Sequence, residues 1–561
     1  MLSKNTNAIV AGLMLFSCCS QAQLTVQSGA TFTMQSGAQV TVQGNVDNAG
    51  SIANEGMLKV QGHYVNTGAY TAAAGVLEMY GAGNANLNAG GSPIANLVIN
   101  KTAVTDLVKL TASATVTNAF TLTNGIFTTD PITNPSFMLT SPVTAAYTFA
   151  AGKEIIGSVR RTGFTSAVPH VFNQTNMLVT TNGGVTPTDL TVTMIPQSAG
   201  GDPSQAEREV TRKFMFAQTA GSGFTADISY PYAGTELNNN MEANLVPWRL
   251  AASEWNARLA PVTRDAAADY VSTTGIPASE LTQEWKLADP NYTMNATAYL
   301  KGAWNNPTGL MRVIINANGY LPLSQPYTGS PYFYAGTESV ASIPNANIVD
   351  WVLLELRKPA SGLPEDATVS TAVGRKAAFL LSNGSVVDLD GVTPAQMTIT
   401  KQGSGNYIVV RHRNHLSAMS NTKASNATGD FTNDFSSTAN VYEKPGATST
   451  PVSLLAATTP GNTKYGLWPG DINNSGSVTP ADITPINVAI AGPASGNTNV
   501  YNVRDANMDR NVTPADVSVA NTSIAGFAQT SAFRSGGTPQ AINKNASSHV
   551  PGELSKNKQA N

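Results

Sequence analysis

The sequence reads Asp471-Ile472-Asn473-Asn474-Ser475-Gly476-Ser477-Val478-Thr479-Pro480-Ala481-Asp482, and later it reads Asp505-Ala506-Asn507-Met508-Asp509-Arg510-Asn511-Val512-Thr513-Pro514-Ala515-Asp516. Both stretches place oxygen-bearing side chains at positions 1, 3, 5 and 9 and an acid at position 12. Position 7 can offer its backbone carbonyl. This is the spacing of an EF-hand-type loop, and calcium prefers oxygen ligands. The sequence therefore predicts two calcium sites, formed by Asp471, Asn473, Ser475, Ser477, Thr479, Asp482, Asp505, Asn507, Asp509, Asn511, Thr513 and Asp516.

A helix is predicted to follow each loop. Thr479 and Thr513 are good N-cap residues, and each is followed by a proline, which suits the first helical position. The acid at position 12 falls at the third helical position, where it can close a capping box. Each predicted helix ends at a glycine, Gly492 or Gly526. The repeated unit is therefore a loop followed by a helix.

This tandem, EF-hand-like pair of loop–helix units resembles a type I dockerin. The resemblance covers about a tenth of the chain and implies a calcium-folded module for protein–protein interaction. In one group of bacteria, dockerins attach polysaccharide-degrading enzymes to scaffold proteins that carry cohesins. The resemblance thus implies a cohesin-like or other surface protein as partner. Ser475 stands where the family usually has Asp, and Arg510 where it usually has Gly. Loop two has three carboxylates and loop one has two, so loop two is expected to bind calcium more tightly.

The composition narrows the class of protein. Only 12% of the 561 residues are charged, and the formal net charge is −3. Such a chain lacks a basic field for nucleic acid and a polybasic patch for a membrane surface. The abundance of Thr, Asn, Ala, Ser, Val and Gly is typical of an all-β extracellular bacterial surface protein. The length alone predicts several domains.

The N-terminus has the pattern of a secretion signal. Lys4 supplies the positive end, and an apolar run from Ala8 to Phe16 is too short to span a bilayer. A small-residue cleavage site precedes Gln23, while a looser lipoprotein-type site at Cys18 is the alternative. Cleavage before Gln23 would remove both cysteines, leaving no disulfides or zinc–thiolate sites. The mature chain is expected to be secreted or cell-surface, without a transmembrane segment.

The region after the signal is repetitive. Gln27-Ser28-Gly29-Ala30 recurs as Gln35-Ser36-Gly37-Ala38, and Asn-x-Gly turns follow at Asn48, Asn54 and Asn66. Short alternating strands lie between these turns. The pattern predicts a β-solenoid or stalk, which could act as a rigid spacer or as an adhesive surface.

The next region has longer alternating segments, such as Leu190 to Ile195 and Phe224 to Tyr230, which predict a β-sandwich-like domain. Trp248, Trp255 and Trp285 are interpreted as core anchors, with a binding face as the alternative. The charged run from Glu207 to Arg212 is interpreted as a solvated strand edge.

A third region contains the segments Val349 to Arg357, Arg375 to Leu381 and Asn406 to Leu416, with hairpin signals at Asn383-Gly384 and Asp390-Gly391. It resembles a hemagglutinin-like domain of large secreted proteins from gliding, polymer-degrading bacteria. The resemblance implies a surface role and transfers no catalytic residues.

Three groups in this region invite a catalytic or metal interpretation. His412 and His415 are three apart in a predicted strand, which would place them on opposite faces. Asp388 and Asp390 could pair as in a glycosidase, although Asp390-Gly391 is a turn signal. Glu355 and Arg357 are interpreted as an ion pair, along one strand or across two.

The sequence thus predicts a mainly β protein with a small α-helical calcium-loop module. The expected segments are a signal peptide (1–22), a β-solenoid or stalk (23–150), two β-sandwich-like domains (151–297 and 298–465), the dockerin-like module (466–527) and a disordered tail (528–561). Two functions remain open. One is a non-catalytic surface protein for adhesion or assembly, and the other is a polysaccharide-degrading enzyme or carbohydrate-binding subunit.

Overall fold

The computed structural model describes residues 22–196, 209–403, 405–423, 429–443, 450–455, 463–493 and 496–528. Almost all of the predicted signal and of the predicted tail lie outside these residues. Strands hold 45% of the chain and helices 11%, so the protein is mainly β, as predicted. The described residues form two compact units, one with 22–195 and 216–224, the other with 209–215 and the described residues from 225 onward.

The first unit begins with short strands separated by tight turns. The strands up to residue 196 are β1 Leu24–Val26, β2 Thr31–Met34, β3 Gln39–Val42, β4 Val46–Asn48, β5 Ser51–Asn54, β6 Met57–Val60, β7 Tyr64–Asn66, β8 Ala69–Thr71, β9 Val76–Gly81, β10 Ala85–Asn88, β11 Ile94–Lys101, β12 Leu107–Leu110, β13 Ala114–Asn124, β14 Ile126–Thr128, β15 Met138–Pro142, β16 Ala146–Phe149, β17 Ile155–Thr162, β18 Pro169–Val171, β19 Leu178–Asn182 and β20 Asp189–Pro196.

These strands stack in parallel, coil upon coil. One stack runs β1, β4, β7, β10, β12 and β14, and a second runs β3, β6, β9, β11 and β13. A third, shorter stack runs β2, β5 and β8. Each coil buries one apolar face against the coils before and after it. The N-terminal region is therefore β-solenoid-like, as predicted. Parallel pairing continues through β17, beyond residue 150, before β20 pairs antiparallel to β17.

Buried asparagines hold the predicted Asn-x-Gly turns in place. The Asn48 amide donates to Asn66 Oδ1 at 2.6 Å, and the Asn66 amide donates to the Ala89 carbonyl at 2.9 Å. Glycine is needed beside them because the coils approach closely. A Cβ at Gly68 would lie 2.1 Å from the carbonyl oxygen of Gly50. The turns thus serve the stacking as well as the change of direction.

The remaining strands belong wholly or mainly to the second unit, and β21 includes residues of both. They are β21 Arg212–Thr219, β22 Thr225–Pro231, β23 Val246–Ala251, β24 Glu254–Ala257, β25 Val262–Asp265, β26 Tyr270–Pro277, β27 Glu284–Ala288, β28 Asn291–Thr297, β29 Trp304–Asn305, β30 Leu310–Met311, β31 Ile348–Arg357, β32 Ala372–Leu381, β33 Val386–Val387, β34 Ala395–Thr398, β35 Lys401–Gln402, β36 Tyr407–Arg411, β37 Ala418–Met419, β38 Asp430–Asp434, β39 Val452–Leu454 and β40 Tyr465–Leu467.

The centre of the second unit is a five-stranded antiparallel sheet with the order β33-β32-β31-β36-β37. Strand β31 is buried along its whole length, which explains why most of its residues are apolar. The predicted turn at Asn383-Gly384 joins β32 to β33, and Gly384 has a φ of 91°. A second, three-stranded sheet has the order β34-β28-β38.

The tryptophans predicted as core anchors are in the core. Trp248, Trp255 and Trp285 are each at most 1% exposed. The charged run before them was wrongly predicted to be solvated, as far as its described residues show. Glu209 forms a buried ion pair with Lys286 at 2.7 Å, and Arg212 forms another with Glu236 at 2.8 Å. A charged run indicates a solvent-exposed segment when its ion-pair partners are unknown. Here the partners are distant in sequence, so the sequence alone did not reveal them.

The described α-helices are short except for the last two. They are α1 Ala278–Leu281, α2 Ile314–Ala317, α3 Pro480–Ala491 and α4 Pro514–Ala525, and the described 3-10 helices are Gly234–Glu236, Glu242–Asn244, Lys301–Ala303, Pro364–Asp366, Val369–Thr371 and Thr438–Asn440. No helix in the described ranges combines the length and apolar composition needed to cross a membrane.

Candidate calcium-binding loops

Both predicted helices begin where the sequence places them. Helix α3 starts at Pro480 after the N-cap Thr479, and α4 starts at Pro514 after Thr513. The acid at position 12 turns back to the cap in each loop. Asp482 Oδ2 accepts the N–H of Thr479 at 2.9 Å, and its counterpart Asp516 accepts the N–H of Thr513 at 2.7 Å. The predicted link between loop end and helix start is therefore confirmed.

The first position of each loop binds the loop backbone in the same way. The two carboxylate oxygens of Asp471 accept the N–H groups of Ser475, at 2.9 Å, and Gly476, at 3.2 Å. The carboxylate of Asp505 accepts the matching N–H groups of Asp509, at 3.0 Å, and Arg510, at 2.7 Å. Each loop is thereby wrapped around its own first carboxylate.

Positions 3 and 12 are also linked identically. The N–H of Asn473 donates to Asp482 Oδ1, and the N–H of Asn507 donates to Asp516 Oδ1, both at 3.1 Å. The two loops therefore share one conformation, although five of their twelve matched positions differ in residue type, three of them outside the proposed ligand positions. A repeated conformation on different residues shows that the matched positions, not chance turns, determine the backbone.

The backbone φ angles of the two loops also match. Position 4 is left-handed in both loops, with φ of 53° at Asn474 and 56° at Met508. Position 6 is also left-handed, with φ of 84° at Gly476 and 74° at Arg510. Glycine adopts this conformation without steric cost, whereas arginine does not. Loop two therefore keeps the conformation in spite of Arg510, whose side chain donates to Asn318 Oδ1 at 2.6 Å.

The four carboxylates at positions 1 and 12 are buried, with Asp471 2% exposed and Asp482, Asp505 and Asp516 0% exposed. Within the described ranges, none of the four forms an ion pair. Burial, followed by the nearby charge of Asp482, raises the pKa of Asp471 to about 7. Burial also raises the pKa of Asp505 to about 7, with Arg413 opposing and Asp516 adding to the rise. Buried acids that repel one another create a place for a cation.

The donor set in the loops fits calcium rather than a softer metal. It consists only of carboxylate, amide, hydroxyl and backbone oxygens. Among the described residues, no three or more His, Cys, Asp or Glu side chains gather closely enough to hold a metal ion by themselves. In loop two, the third acid, Asp509, accepts hydrogen bonds from Asn507 Nδ2 and Asn511 N, both at 2.9 Å. Neutral and backbone oxygens would therefore have to complete either site.

The loops pack against the segment that follows strand β36. Asn414 contacts both, because its backbone carbonyl accepts the N–H of Gly470 at 2.8 Å and its side-chain amide donates to the Asp505 carbonyl at 2.6 Å. Its neighbour Arg413 accepts a hydrogen bond from Asn474 Nδ2 at 3.2 Å through its own carbonyl. We call residues 412–416 the docking segment. It lies between the two loops and is buried throughout.

A buried polar cluster anchors the docking segment to strand β31. Asp350 accepts hydrogen bonds from Arg413 Nε at 2.9 Å and from the hydroxyl of Tyr501 at 2.7 Å. The guanidinium of Arg413 also lies over the ring of Tyr501, 4.3 Å from its centroid. Tyr501 lies just ahead of loop two, so this cluster connects that loop to the central sheet.

The prediction that His412 and His415 lie on opposite faces was wrong. Strand β36 ends at Arg411, and the turn beyond it brings the two Nδ1 atoms to 3.1 Å. His415 Nε2 accepts the N–H of Gly302 at 3.0 Å, so the proton of a neutral ring lies on Nδ1. Burial lowers the pKa of His415 well below its usual value. The pair is therefore part of the packing between loop two and the sheet.

Loop two has further contacts with residues near α2. Gly302 lies against it so closely that a Cβ there would be 2.1 Å from the Ala506 carbonyl oxygen. Arg312 Nη2 donates to the Asn507 carbonyl at 2.8 Å. Loop one has its own contact, since the hydroxyl of Tyr332 donates to Asn474 Oδ1 at 2.7 Å. Both loops are thus integral to the second compact unit.

The two helices end at the predicted glycines, and at one of them, Gly526, the structure shows a constraint that the sequence did not reveal. Gly492 and Gly526 both have φ near −85°, which other residues adopt readily. At Gly526, however, a Cβ would lie 2.3 Å from Cη2 of Trp468, whereas at Gly492 the nearest atoms are 3.4 Å away. Gly526 therefore makes room for Trp468, which packs with Leu416 and Ile486 in a small core beneath the helices.

The other candidate groups have structural roles. Asp388 pairs with Lys376 at 3.1 Å, while Asp390 caps its turn by accepting the N–H groups of Val392 and Thr393, each at 2.9 Å. Glu355 pairs with Arg357 on its own strand, as expected. It also pairs across strands with Arg375 at 3.0 Å and Arg411 at 3.3 Å.

Sequence reasoning missed Asp350, Arg413, Asn414 and Tyr501. A signal was present, because Arg411 to His415 is a run of five polar residues that directly follows an apolar strand. Such a run can indicate a buried polar interface, but its partners lie about sixty residues upstream and ninety downstream. Comparisons with protein-family models, with curated proteins and with solved structures each gave no match.

Proposed function

We propose that this chain is a non-catalytic secreted or cell-surface protein for adhesion or assembly, with a C-terminal dockerin-like module that binds two calcium ions. One observation carries the proposal. Two loops of different sequence adopt the same conformation and each buries the acids of positions 1 and 12 without an ion-pair partner among the described residues. Chance turns would not repeat this arrangement twice.

Each residue of the loops has a defined task in this proposal. Asp471 and Asp505 would hold the ion from the first position, and Asp482 and Asp516 would hold it from the start of the helix. The amide, hydroxyl and backbone oxygens between them would complete the coordination. A bound calcium ion would supply the positive charge that offsets the repulsion of these buried acids, so that its binding energy becomes folding energy.

The solvent-facing sides of α3 and α4 support a role in protein–protein interaction. The only charged residue of each helix, Asp482 in α3 and Asp516 in α4, is buried at its start. The exposed positions carry small, uncharged residues, namely Pro480, Ala481, Thr484, Asn487, Val488 and Ala491 in one helix and Pro514, Ala515, Ser518, Asn521, Thr522 and Ala525 in the other. This pseudo-symmetric, uncharged face is the surface that we assign to a cohesin-like or other surface protein.

Binding and activity assays on the full chain test this function. The chain, with calcium or with EDTA, is passed over immobilised cohesin domains, and it is incubated with plant and algal polysaccharides while reducing ends are measured. Calcium-dependent retention by a cohesin without release of reducing ends is the expected result. Release of reducing ends would favour the second function, a polysaccharide-degrading enzyme. Retention that is equal in EDTA would contradict a calcium-dependent module.

A further inference from the structure

A half-open groove of about 1110 Å³ lies in the second unit, and none of its lining residues belongs to the calcium loops. Its walls come from the loop around Phe333 to Ser339, from strands β32 and β34, and from the segments around Asn244 and Arg264. A groove of this size can take several units of an extended ligand. The chemistry of its lining indicates which kind of ligand.

An aromatic ring stands exposed in the lining of the groove. Phe333 is 45% exposed, and its φ of 43° places a bulky residue in the left-handed region. Such a conformation is unfavourable for a phenylalanine, and backbone strain of this kind tends to occur at functional sites. The ring offers a flat apolar face to the groove's occupant.

Glu338, another residue of the lining, has one carboxylate oxygen held by a hydrogen bond and the other covered by protein. Its Oε1 accepts a hydrogen bond from the hydroxyl of Tyr334. Its Oε2 is buried, and Gly336 packs so closely that a Cβ there would lie 2.3 Å from it. The carboxylate adds negative charge to the wall of the groove, which disfavours an acidic ligand.

Two of the three positively charged side chains of the lining form ion pairs within the protein. Arg375 pairs with Glu355 at 3.0 Å, and Lys376 pairs with Asp388 at 3.1 Å. The Arg264 guanidinium donates to the Leu245 carbonyl at 2.5 Å. The groove therefore offers no strong attraction to an acidic ligand.

Neutral polar groups line one wall of the groove. Gln396 and Thr398 alternate on strand β34 and are exposed on the same side. Their side chains are held by hydrogen bonds to Thr293 Oγ1, at 3.0 Å, and Asn291 Oδ1, at 2.6 Å. The amide oxygen and the hydroxyl lone pairs remain capable of further hydrogen bonds.

We infer that this groove binds a neutral oligosaccharide. A pyranose ring would stack on Phe333, and its hydroxyl groups would form hydrogen bonds with the Gln396 amide oxygen and the Thr398 hydroxyl. Sugar rings combine apolar faces with many hydroxyl groups, which matches an exposed aromatic ring in a groove whose wall carries an uncharged amide and a hydroxyl. The inference concerns a site separate from the calcium loops and does not rest on them.

Calorimetric titration of the full chain with hexasaccharides tests the inference. The probes are neutral β-linked hexamers of glucose, xylose, mannose and galactose, with an acidic hexagalacturonate for comparison. Phe333→Ala should weaken neutral binding about tenfold, the effect of losing one stacking contact. Gln396→Ala, which removes an exposed amide from the wall of the groove, should also weaken it. Phe527→Ala is the matched control, because Phe527 is likewise exposed and left-handed but is not part of the groove.

The outcomes separate the possibilities. Binding of at least one neutral hexamer that is weakened by Phe333→Ala and Gln396→Ala, but not by Phe527→Ala, supports the site. Absence of neutral binding overturns it, as does a preference for the acidic hexamer. Neutral binding that neither groove variant weakens overturns it as well, since the sugar would then bind elsewhere. Circular dichroism spectra that match the unmodified chain show that each variant is folded.

Discussion

The side-chain amide of Asn414 donates a hydrogen bond to the backbone carbonyl of Asp505, the first residue of loop two, at 2.6 Å. Asn414 is fully buried, and its own carbonyl accepts the N–H of Gly470, which directly precedes loop one. One residue after strand β36 thus connects the central sheet to both loops. It follows that the stability of the loops and that of the sheet are coupled.

Replacing Asn414 tests this coupling. Asn414→Ala leaves the buried Asp505 carbonyl without its donor, and the free energy of unfolding should fall by about 1–3 kcal/mol. Calcium affinity should fall in loop two more than in loop one, since the backbone bond to Gly470 remains. Asn421→Ala is the matched control, because it removes an exposed amide that donates to the Ala439 carbonyl at 2.8 Å. Equal losses in both variants would contradict the role of Asn414.

The two helix-end glycines provide a paired test of packing. Gly526→Ala places a methyl group against Trp468 and should lower the free energy of unfolding by about 1–3 kcal/mol, as overpacking does. Gly492→Ala should have little effect, because no atom lies closer than 3.4 Å to the new methyl group. Chemical denaturation of both variants gives the comparison. If glycine served only to end each helix, the two variants would behave alike.

A pH-dependent contribution is expected from Asp350. Burial raises the pKa of this acid, but the charges and hydrogen bonds of Arg413 and His412 outweigh burial and lower the pKa to about 2. A lowered folded-state pKa stabilises the protein above the unfolded-state value, near 4, and this contribution is lost as the pH falls toward 2. Asp350→Asn should therefore reduce the dependence of stability on pH within that window.

The same variant should be strongly destabilised at neutral pH. Asp350→Asn removes the ion-pair partner of the buried Arg413, and loss of one partner of a buried pair costs about 3–5 kcal/mol. Asp390→Asn is the control, since asparagine can still accept the N–H groups of Val392 and Thr393. Denaturant titrations at pH 7 and at pH 3 give both comparisons. If Asp350→Asn lowers the free energy of unfolding by less than Asp390→Asn does, water compensates the buried charge of Arg413.

The solenoid-like region makes an independent prediction. Asn66 is fully buried and bonds to Asn48, Ala89 and Ser92 in the neighbouring coils. Asn66→Ala should destabilise the stack by about 1–3 kcal/mol because several buried groups lose their partners. Asn118→Ala removes one exposed bond to the Ala73 carbonyl and serves as control. Faster hydrogen exchange of Tyr64–Asn66 in the first variant alone is the expected result.

Local sequence signals predicted much of the fold. The caps at Thr479 and Thr513, the Asn-x-Gly turns and the mainly apolar segment of β31 each determine their structure through neighbours within a few residues. These features were therefore visible before any tertiary contact was known. The equivalence of the two loops was visible for the same reason, since one spacing of side chains fixes one backbone.

Contacts between distant parts of the chain could not be predicted. Arg413 meets Asp350, more than sixty residues earlier, and Asn414 meets Asp505, more than ninety residues later. The glycine at 526 was assigned to a helix end, although its main constraint is the ring of Trp468. In each case the residue type fits a local explanation, while its energetic role comes from packing that only the folded chain defines.

The most direct test of the central claim is a calorimetric titration of the full chain with calcium, beside Asp471→Ala and Asp505→Ala. Two binding events are expected in the unmodified chain. Asp505→Ala should abolish the tighter event, because loop two carries three acids, and Asp471→Ala should abolish only the weaker one. An absence of binding, or unchanged binding in both variants, would contradict the account and leave two buried turns without a metal.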